Sequence, residues 1–351
     1  MNLRSLLQQY LNFLNRVLPK SRQTLVVGFD IGTSSVKAVE IGYVDNSFEI
    51  KRWGLEPIEG ADTKAALKRL FSRMNIKDQI PVASVSGKGT LMRYVDMPRM
   101  PIEELRKAFV YEIDKYFPFD PQTIYTDCYI INSPIKEKKM TVLVVAAKKE
   151  LVDERIKLFK EAGMILAHVT TNSIATASVF EKLASQQVMT GASAVLDIGG
   201  SVSNLMIFDK NHSPCFTRDI FTGSQDMSKQ IANSMGVDVA QAEQIKLSPG
   251  DKANDIIQAC EASIDNLIGE VHLSFDYFMT ENNLNVSALF LVGGGSLLRG
   301  IEGIFEKNLN IPVKVWNPLS GVNLGPEVNA SEVNKFSSQL GVALGLALTK
   351  I

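Results

Sequence analysis

Residues 30–41 read DIGTSSVKAVEI, and residues 197–208 read DIGGSVSNLMIF. Each stretch opens with an acid that closes an apolar run, passes through glycine and small hydroxylated residues, and returns to alternating apolar positions. That is the pattern of strand, tight turn and strand. One such turn is ordinary hairpin chemistry, because Gly, Asp and Ser favour turns for backbone reasons alone. Its repetition in the second half of the chain, together with a glycine cluster at Gly293, Gly294 and Gly295, points to two related lobes facing one ligand. Glycine lets a turn approach a ligand closely, and the hydroxyls of Thr33, Ser34, Ser35, Ser201 and Ser203 can donate to phosphate oxygens. Asp30 and Asp197 can hold a divalent cation through its water shell. The expectation is a nucleotide gripped between two halves of an α/β protein.

Composition fits that reading. A chain of 351 residues, 45% hydrophobic and 21% charged, is long enough for two lobes with their own interiors. A formal net charge of -1 argues against a nucleic-acid partner held by bulk electrostatics. Cys128, Cys215 and Cys260 are odd in number and widely spaced, which suits a reducing compartment better than a disulfide framework or a zinc site. No apolar run approaches the ~20 residues that span a bilayer, and no signal-peptide core is legible. A cytoplasmic location is the expectation.

Taken in order, residues 1–22 place Leu3, Leu7, Tyr10, Leu14 and Leu18 on one helical stripe, with Arg4, Arg16, Lys20 and Arg22 as the only charges. Such a helix suits an anionic membrane surface, a partner helix or its own domain. Lobe I is expected over 23–190 and lobe II over 191–351. Strands flank a helix over 62–76. GKGT at 87–90 lacks the earlier glycine and the Ser/Thr position of a phosphate loop, so that reading is rejected. Residues of about 98–165 read as an inserted helix, two strands and a second helix, a small α/β subdomain within lobe I. The small-residue segment 171–185 and the terminal FSSQLGVALGLAL, with Gly341 and Gly345 at i,i+4, read as helices that can cross closely. Glu243 and Lys246 at i,i+3 read as an exposed pair. A long helix is expected over 252–283, and the strand ALFLVGGG should meet a helix starting near Ser296, with N–H groups free for an anion.

The ordered set of hairpin, small-residue helix, hairpin, VGGGSLLRG turn and second small-residue helix resembles the actin-like ATPase superfamily of actin and hexokinase. That resemblance implies a two-lobed fold of duplicated ribonuclease H-like domains. The insertion resembles the FtsA-like branch. Within it, YEIDKYFPFDPQTIYTDCYII at 111–131 and DIGTSSVKAVEI are similar to the PilM family of type IV pilus assembly proteins. The resemblance implies that Gly32, Thr33, Ser34 and Ser35 hold the phosphates of ATP or ADP from lobe I, and Gly199, Gly200, Ser201 and Ser203 from lobe II. Asp30 and Asp197 would place magnesium through water. Glu243 and Lys246 would face ribose and adenine, and Gly293, Gly294, Gly295 and Ser296 the base and α-phosphate. Lys37 lies too far along its strand to be given a phosphate contact. Relatives often carry an acid or amide followed by proline where this chain has Asn172-Ser173. An amide orients water without accepting its proton, so turnover should be slow or absent. The resemblance further implies a scaffold peripheral to the inner membrane that binds the cytoplasmic N-terminal tail of a PilN-like membrane protein, in a groove between lobe I and its insertion. An FtsA-like filament former and a small-molecule kinase of the same superfamily are the alternatives, and self-association stays open.

Overall fold

A computed structural model of the chain describes residues 25–44, 47–132, 138–183 and 191–349. The amphipathic stripe of residues 1–20 lies outside the described residues. The first sheet holds β1 (Leu25–Ile31), β2 (Ser35–Val44), β3 (Ser47–Pro57), β4 (Ile80–Val85) and, after the insertion, β8 (His168–Thr171). β1 and β2 are antiparallel, as are β2 and β3, while β4 and β8 run parallel to β1. The second sheet repeats this plan with β9 (Ala192–Ile198), β10 (Ser203–Phe208), β11 (Pro214–Ile220), β12 (Val286–Val292) and β13 (Val313–Val315), in the order β11-β10-β9-β12-β13. The duplication extends to register. Ile31 pairs with Val36 and Ile198 with Ser203, so both hairpins close over loops of the same length. Central strands here are buried on both faces, which is why LVVGFDI and SNLMIF carry almost no polar alternation.

Helix α1 (Thr63–Met74) is started by Asp62, whose carboxylate accepts from the Ala65 N–H at 2.8 Å, and buries Ala66, Leu67, Leu70 and Met74. The insertion is a three-stranded antiparallel sheet of β5 (Thr90–Pro98), β6 (Ile124–Asn132) and β7 (Lys139–Lys148), in the order β5-β7-β6. One face is covered by α2 (Ile102–Tyr116), which seats Leu105, Phe109 and Ile113 against Val142, Val144 and Ala146. The unit with its own core therefore runs from 90 to 148, not from 98 to 165. The strand before Pro98 pairs within it, whereas α3 (Lys149–Ala162) returns to lobe I, where Phe159 meets Phe29 at 5.3 Å and Phe71 at 6.0 Å.

The helix following each sheet packs on the other lobe. Helix α4 (Asn172–Leu183) leaves β8 and places Phe180 against Phe208, Phe290 and Trp316 of the second lobe. In the second lobe, α5 (Ser224–Met235), α6 (Val239–Leu247) and α7 (Ala253–Asn282) lie between β11 and β12, and α8 (Ile301–Leu309) between β12 and β13. The chain then crosses back. Strand β14 (Asn323–Leu324) pairs with β3, α9 (Ala330–Lys335) follows, and α10 (Gly341–Leu348) sits against β1 of the first sheet. Residues beyond about 318 thus belong structurally to lobe I rather than continuing lobe II. Helices α4 and α10 cross so closely that a Cβ on Gly345 would lie 1.9 Å from the Ala175 carbonyl oxygen. One apolar cluster, including Val26, Val179, Val195 and Leu344, joins both lobes through this crossing.

Candidate functional site

The two hairpins face each other across a cleft of about 790 Å³ between the lobes. From lobe I, Asp30, Gly32, Thr33, Ser34 and Ser35 line it, and from lobe II Asp197, Gly199, Gly200 and Ser201. The Gly32 N–H donates to the Ser35 carbonyl at 3.0 Å, which closes the first loop and leaves Thr33 and Ser34 exposed at its tip. The hairpin tips touch: a Cβ on Gly200 would fall 2.0 Å from Thr33 Oγ1. Gly199 and Gly200 in turn lend their carbonyls to the N–H groups of Ser224 and Gln225 at 2.8 Å, which fixes the second loop on the start of α5.

Behind the tips stand the two acids. Asp30 accepts from Lys37 Nζ at 3.0 Å, because the hairpin register sets Asp30 opposite Lys37. The lysine therefore reaches the phosphate hairpin, and its distance along the strand is cancelled by the turn. The antiparallel register of a four-residue loop is the signal that locates it. Burial pushes the Asp197 carboxyl up to about 7, the nearby charge of Asp30 adds to the effect, and Lys37 opposes it. Gly293, at φ 82°, passes against this acid; a Cβ there would lie 2.2 Å from Asp197 Oδ1. Only glycine suits that close left-handed passage.

Four residues read as ligand contacts do not line the cleft. Lys246 is buried and donates to the Ser224 carbonyl at 3.0 Å, Ser228 Oγ at 2.8 Å and Glu243 Oε2 at 2.6 Å. Its charge is consumed in fastening α6 to α5, so it is neither an exposed pair member nor a base contact. Glu243 does reach the cleft, with Gln244 and Leu247 beside it. Ser203 is fully buried and donates to the Thr222 carbonyl at 2.7 Å. Gly295 packs on Ile198, and Ser296 Oγ donates to the Gly293 carbonyl at 2.7 Å. No helix starts at Ser296: a 3-10 turn covers Gly294–Leu297, Gly300 at φ 90° resets the direction, and α8 follows. Gly293 and Gly294 remain at the cleft wall.

Several lining groups were not read from the sequence as cleft residues. Phe336, Ser338, Gln339 and Gly341 come from the returning C-terminal segment, held by a hydrogen bond from the Gly293 N–H to the Ser338 carbonyl at 2.8 Å. Arg155 enters from α3. Asn172 also lines the cleft as the first residue of α4, whose Ile174 N–H donates to Thr171 Oγ1 at 3.3 Å. The donor set fits a nucleotide: two glycine loops, hydroxyls and two cations on a narrow, two-walled cleft. It fits magnesium only through water. Of the four carboxylates that line the cleft, Asp30, Glu154, Asp197 and Glu243, Asp30 already holds Lys37, and no group of three or more His, Cys, Asp or Glu converges as a metal site anywhere among the described residues.

A second groove, of about 680 Å³, lies between α4 and the free face of the inserted sheet. Alternation along β7 turns Val142, Val144 and Ala146 toward α2 and leaves Leu143 and Val145 for the groove, joined by Met92 and Tyr94 of β5 and by Ile174 and Ala177 of α4. An Arg106–Asp127 ion pair at 3.4 Å stands at its edge. The turn leading into the insertion is tied to lobe II, since Asp219 on β11, which accepts from its neighbour Asn204 Nδ2 at 2.6 Å, also accepts from the Gly87 N–H at 3.2 Å. The three cysteines are free thiols, and no helix among the described residues is long and apolar enough to cross a membrane.

The family profile of type IV pilus assembly protein PilM matches residues 28–351. Among solved structures, the chain is similar to one from the PilM-PilN type IV pilus biogenesis complex, with a TM-score of 0.81 and 24% identity over 92% of this chain and 97% of that one. Ethanolamine utilization protein EutJ from Carboxydothermus hydrogenoformans has a TM-score of 0.54 and 15% identity, covering 98% of both chains. MreB5 of Spiroplasma citri bound to AMPPNP has a TM-score of 0.50 and 13% identity, over 93% of this chain and 95% of that one. At these identities the structural likenesses establish the two-lobed actin-like ATPase fold.

Proposed function

This chain belongs to the PilM family of type IV pilus assembly proteins, and on that premise we propose that it is a nucleotide-binding scaffold that captures the cytoplasmic N-terminal tail of a PilN-like membrane protein. The single observation that carries the proposal is helix α4: its first residue, Asn172, lines the interlobe cleft, and its next turns, through Ile174 and Ala177, wall the groove beside the insertion. One rigid element thus touches both sites, so occupancy of the cleft and of the groove can bias the same helix.

In the cleft, ATP or ADP is held by the loops Gly32–Ser35 and 199–201, with Lys37 near the phosphates and Gly293 and Gly294 beside the adenosine side. Magnesium, held through water by Asp30 and Asp197, supplies charge neutralisation for the phosphates. Asn172 orients water without accepting its proton, and turnover is slow or absent. The chain is peripheral to the inner membrane, held there through its partner.

The groove suits an apolar peptide: Met92, Leu143, Val145, Ile174 and Ala177 offer pockets on two walls. Val145→Glu places an unpaired charge on its inner wall, and Ala177→Glu does so on the opposite one. Each is expected to weaken binding of a fluorescent tail peptide of the PilN-like partner at least about tenfold, because an apolar segment seated on either wall would strip the new carboxylate of water. Fluorescence anisotropy on the full chain measures it. Unchanged affinity in both variants would remove the groove from the account.

A further inference from the structure

Helix α3 turns one stripe, Leu151, Glu154, Arg155 and Leu158, toward the interlobe cleft. Arg155 is half-buried there, yet among the described residues no carboxylate, carbonyl or hydroxyl accepts a hydrogen bond or ion pair from it. The other cation lining the cleft, Lys37, has its partner in Asp30 at 3.0 Å. Burial lowers the Arg155 guanidinium to about 10, with the charge of Asp30 acting in the opposite sense, so it stays cationic at neutral pH. A partly desolvated guanidinium without an acceptor is unfavourable unless an anion completes it. Asp30 is not that anion in this structure.

Position indicates which anion. The adenosine side of the cleft is built from lobe II, where α6 supplies Glu243, Gln244 and Leu247. Arg155 enters from lobe I on α3, which packs against α1, and stands near enough to Asp30, behind the touching hairpin tips, for the two charges to interact. A nucleotide laid from α6 through the hairpins reaches this side with its last phosphate. A planar fork of donors matches phosphate oxygens two at a time, which a lysine at the same place would not do.

We propose that Arg155 recognises the terminal phosphate of the bound nucleotide and makes the cleft prefer a nucleoside triphosphate over the diphosphate. This rests on the nucleotide-binding reading above. The residue acts as a sensor of nucleotide state: it gains its acceptor with the triphosphate and loses it with the diphosphate. Since α3 follows directly on β7 at Lys148, the signal originates next to the inserted sheet that walls the partner groove.

The test is calorimetric titration of the full chain with the magnesium complexes of ADP and of the β,γ-imido analogue of ATP, for wild type, Arg155→Gln and Arg155→Lys. Arg155→Gln is expected to weaken the triphosphate analogue about tenfold or more and ADP less than about twofold, with Arg155→Lys between. The urea midpoint should stay put in both variants, which separates recognition from folding. Equal losses for both ligands, or no loss for either, would overturn the role of Arg155. Wild type that binds neither ligand would instead overturn the nucleotide-binding reading, and the sensor with it.

Discussion

Gly345→Ala should destabilise the protein by about 3 kcal/mol or more, an unusual penalty for a single methyl group. In a helix the change would ordinarily stabilise by about 0.5–1 kcal/mol. Here the new Cβ would sit 1.9 Å from the Ala175 carbonyl oxygen and 2.4 Å from its carbon, both backbone atoms of α4 that cannot rotate away. The crossing must open, and it carries the apolar cluster shared by the lobes. Gly269→Ala is the internal control. That glycine lies on the exposed side of α7, and a Cβ there would meet nothing within 4 Å, so alanine should stabilise by about 0.5–1 kcal/mol. Urea denaturation of both variants measures the contrast. Similar small effects would show that the lobes do not depend on the close crossing.

The second large effect is expected at Asp197, and its sign is opposite in stability and in binding. The carboxyl is held up to about 7 by burial, against an ordinary 3.8. The folded protein therefore keeps a proton that the unfolded chain releases above about pH 4. Stability from this group is full at low pH and is lost as pH rises toward 7. Asp197→Asn removes the dependence: relative to wild type it should be more stable by roughly 2–4 kcal/mol at about pH 8, with the advantage shrinking toward about pH 5. Denaturation of both proteins at those two pH values reads the difference directly. The same variant should lose affinity for magnesium-nucleotide, since the amide cannot orient the cation's water shell as an anion does. A group that destabilises the empty protein and strengthens the loaded one marks a site where binding has been favoured over stability.

Much of this was legible in the sequence because it is carried by local pattern. The two D-I-G hairpins, the apolar faces of α1 and α7 and the glycines of the crossing helices follow from neighbours a few residues apart. Three features were hidden because they depend on long-range packing. Lys246 reads as a surface charge at i,i+3 from Glu243, and only the approach of α5 buries it against Ser224 and Ser228. The first strand of the insertion reads as lobe I until β7 returns to pair with it. The return of Phe336, Ser338 and Gln339 to the cleft floor requires the chain to cross back after β13, which no local signal announces. Lys37 is the intermediate case, since its place opposite Asp30 is implied by the hairpin register alone.

The central claim, that the hairpins and the Gly293 wall form one nucleotide clamp, is tested most directly by equilibrium binding of magnesium-ATP to the full chain, wild type against Gly293→Ala. Wild type should bind one nucleotide per chain. The variant, whose methyl would have to enter the space of Asp197 Oδ1 and the Ile198 carbonyl, should lose at least about tenfold in affinity. No binding by wild type, or equal binding by both, would contradict the clamp.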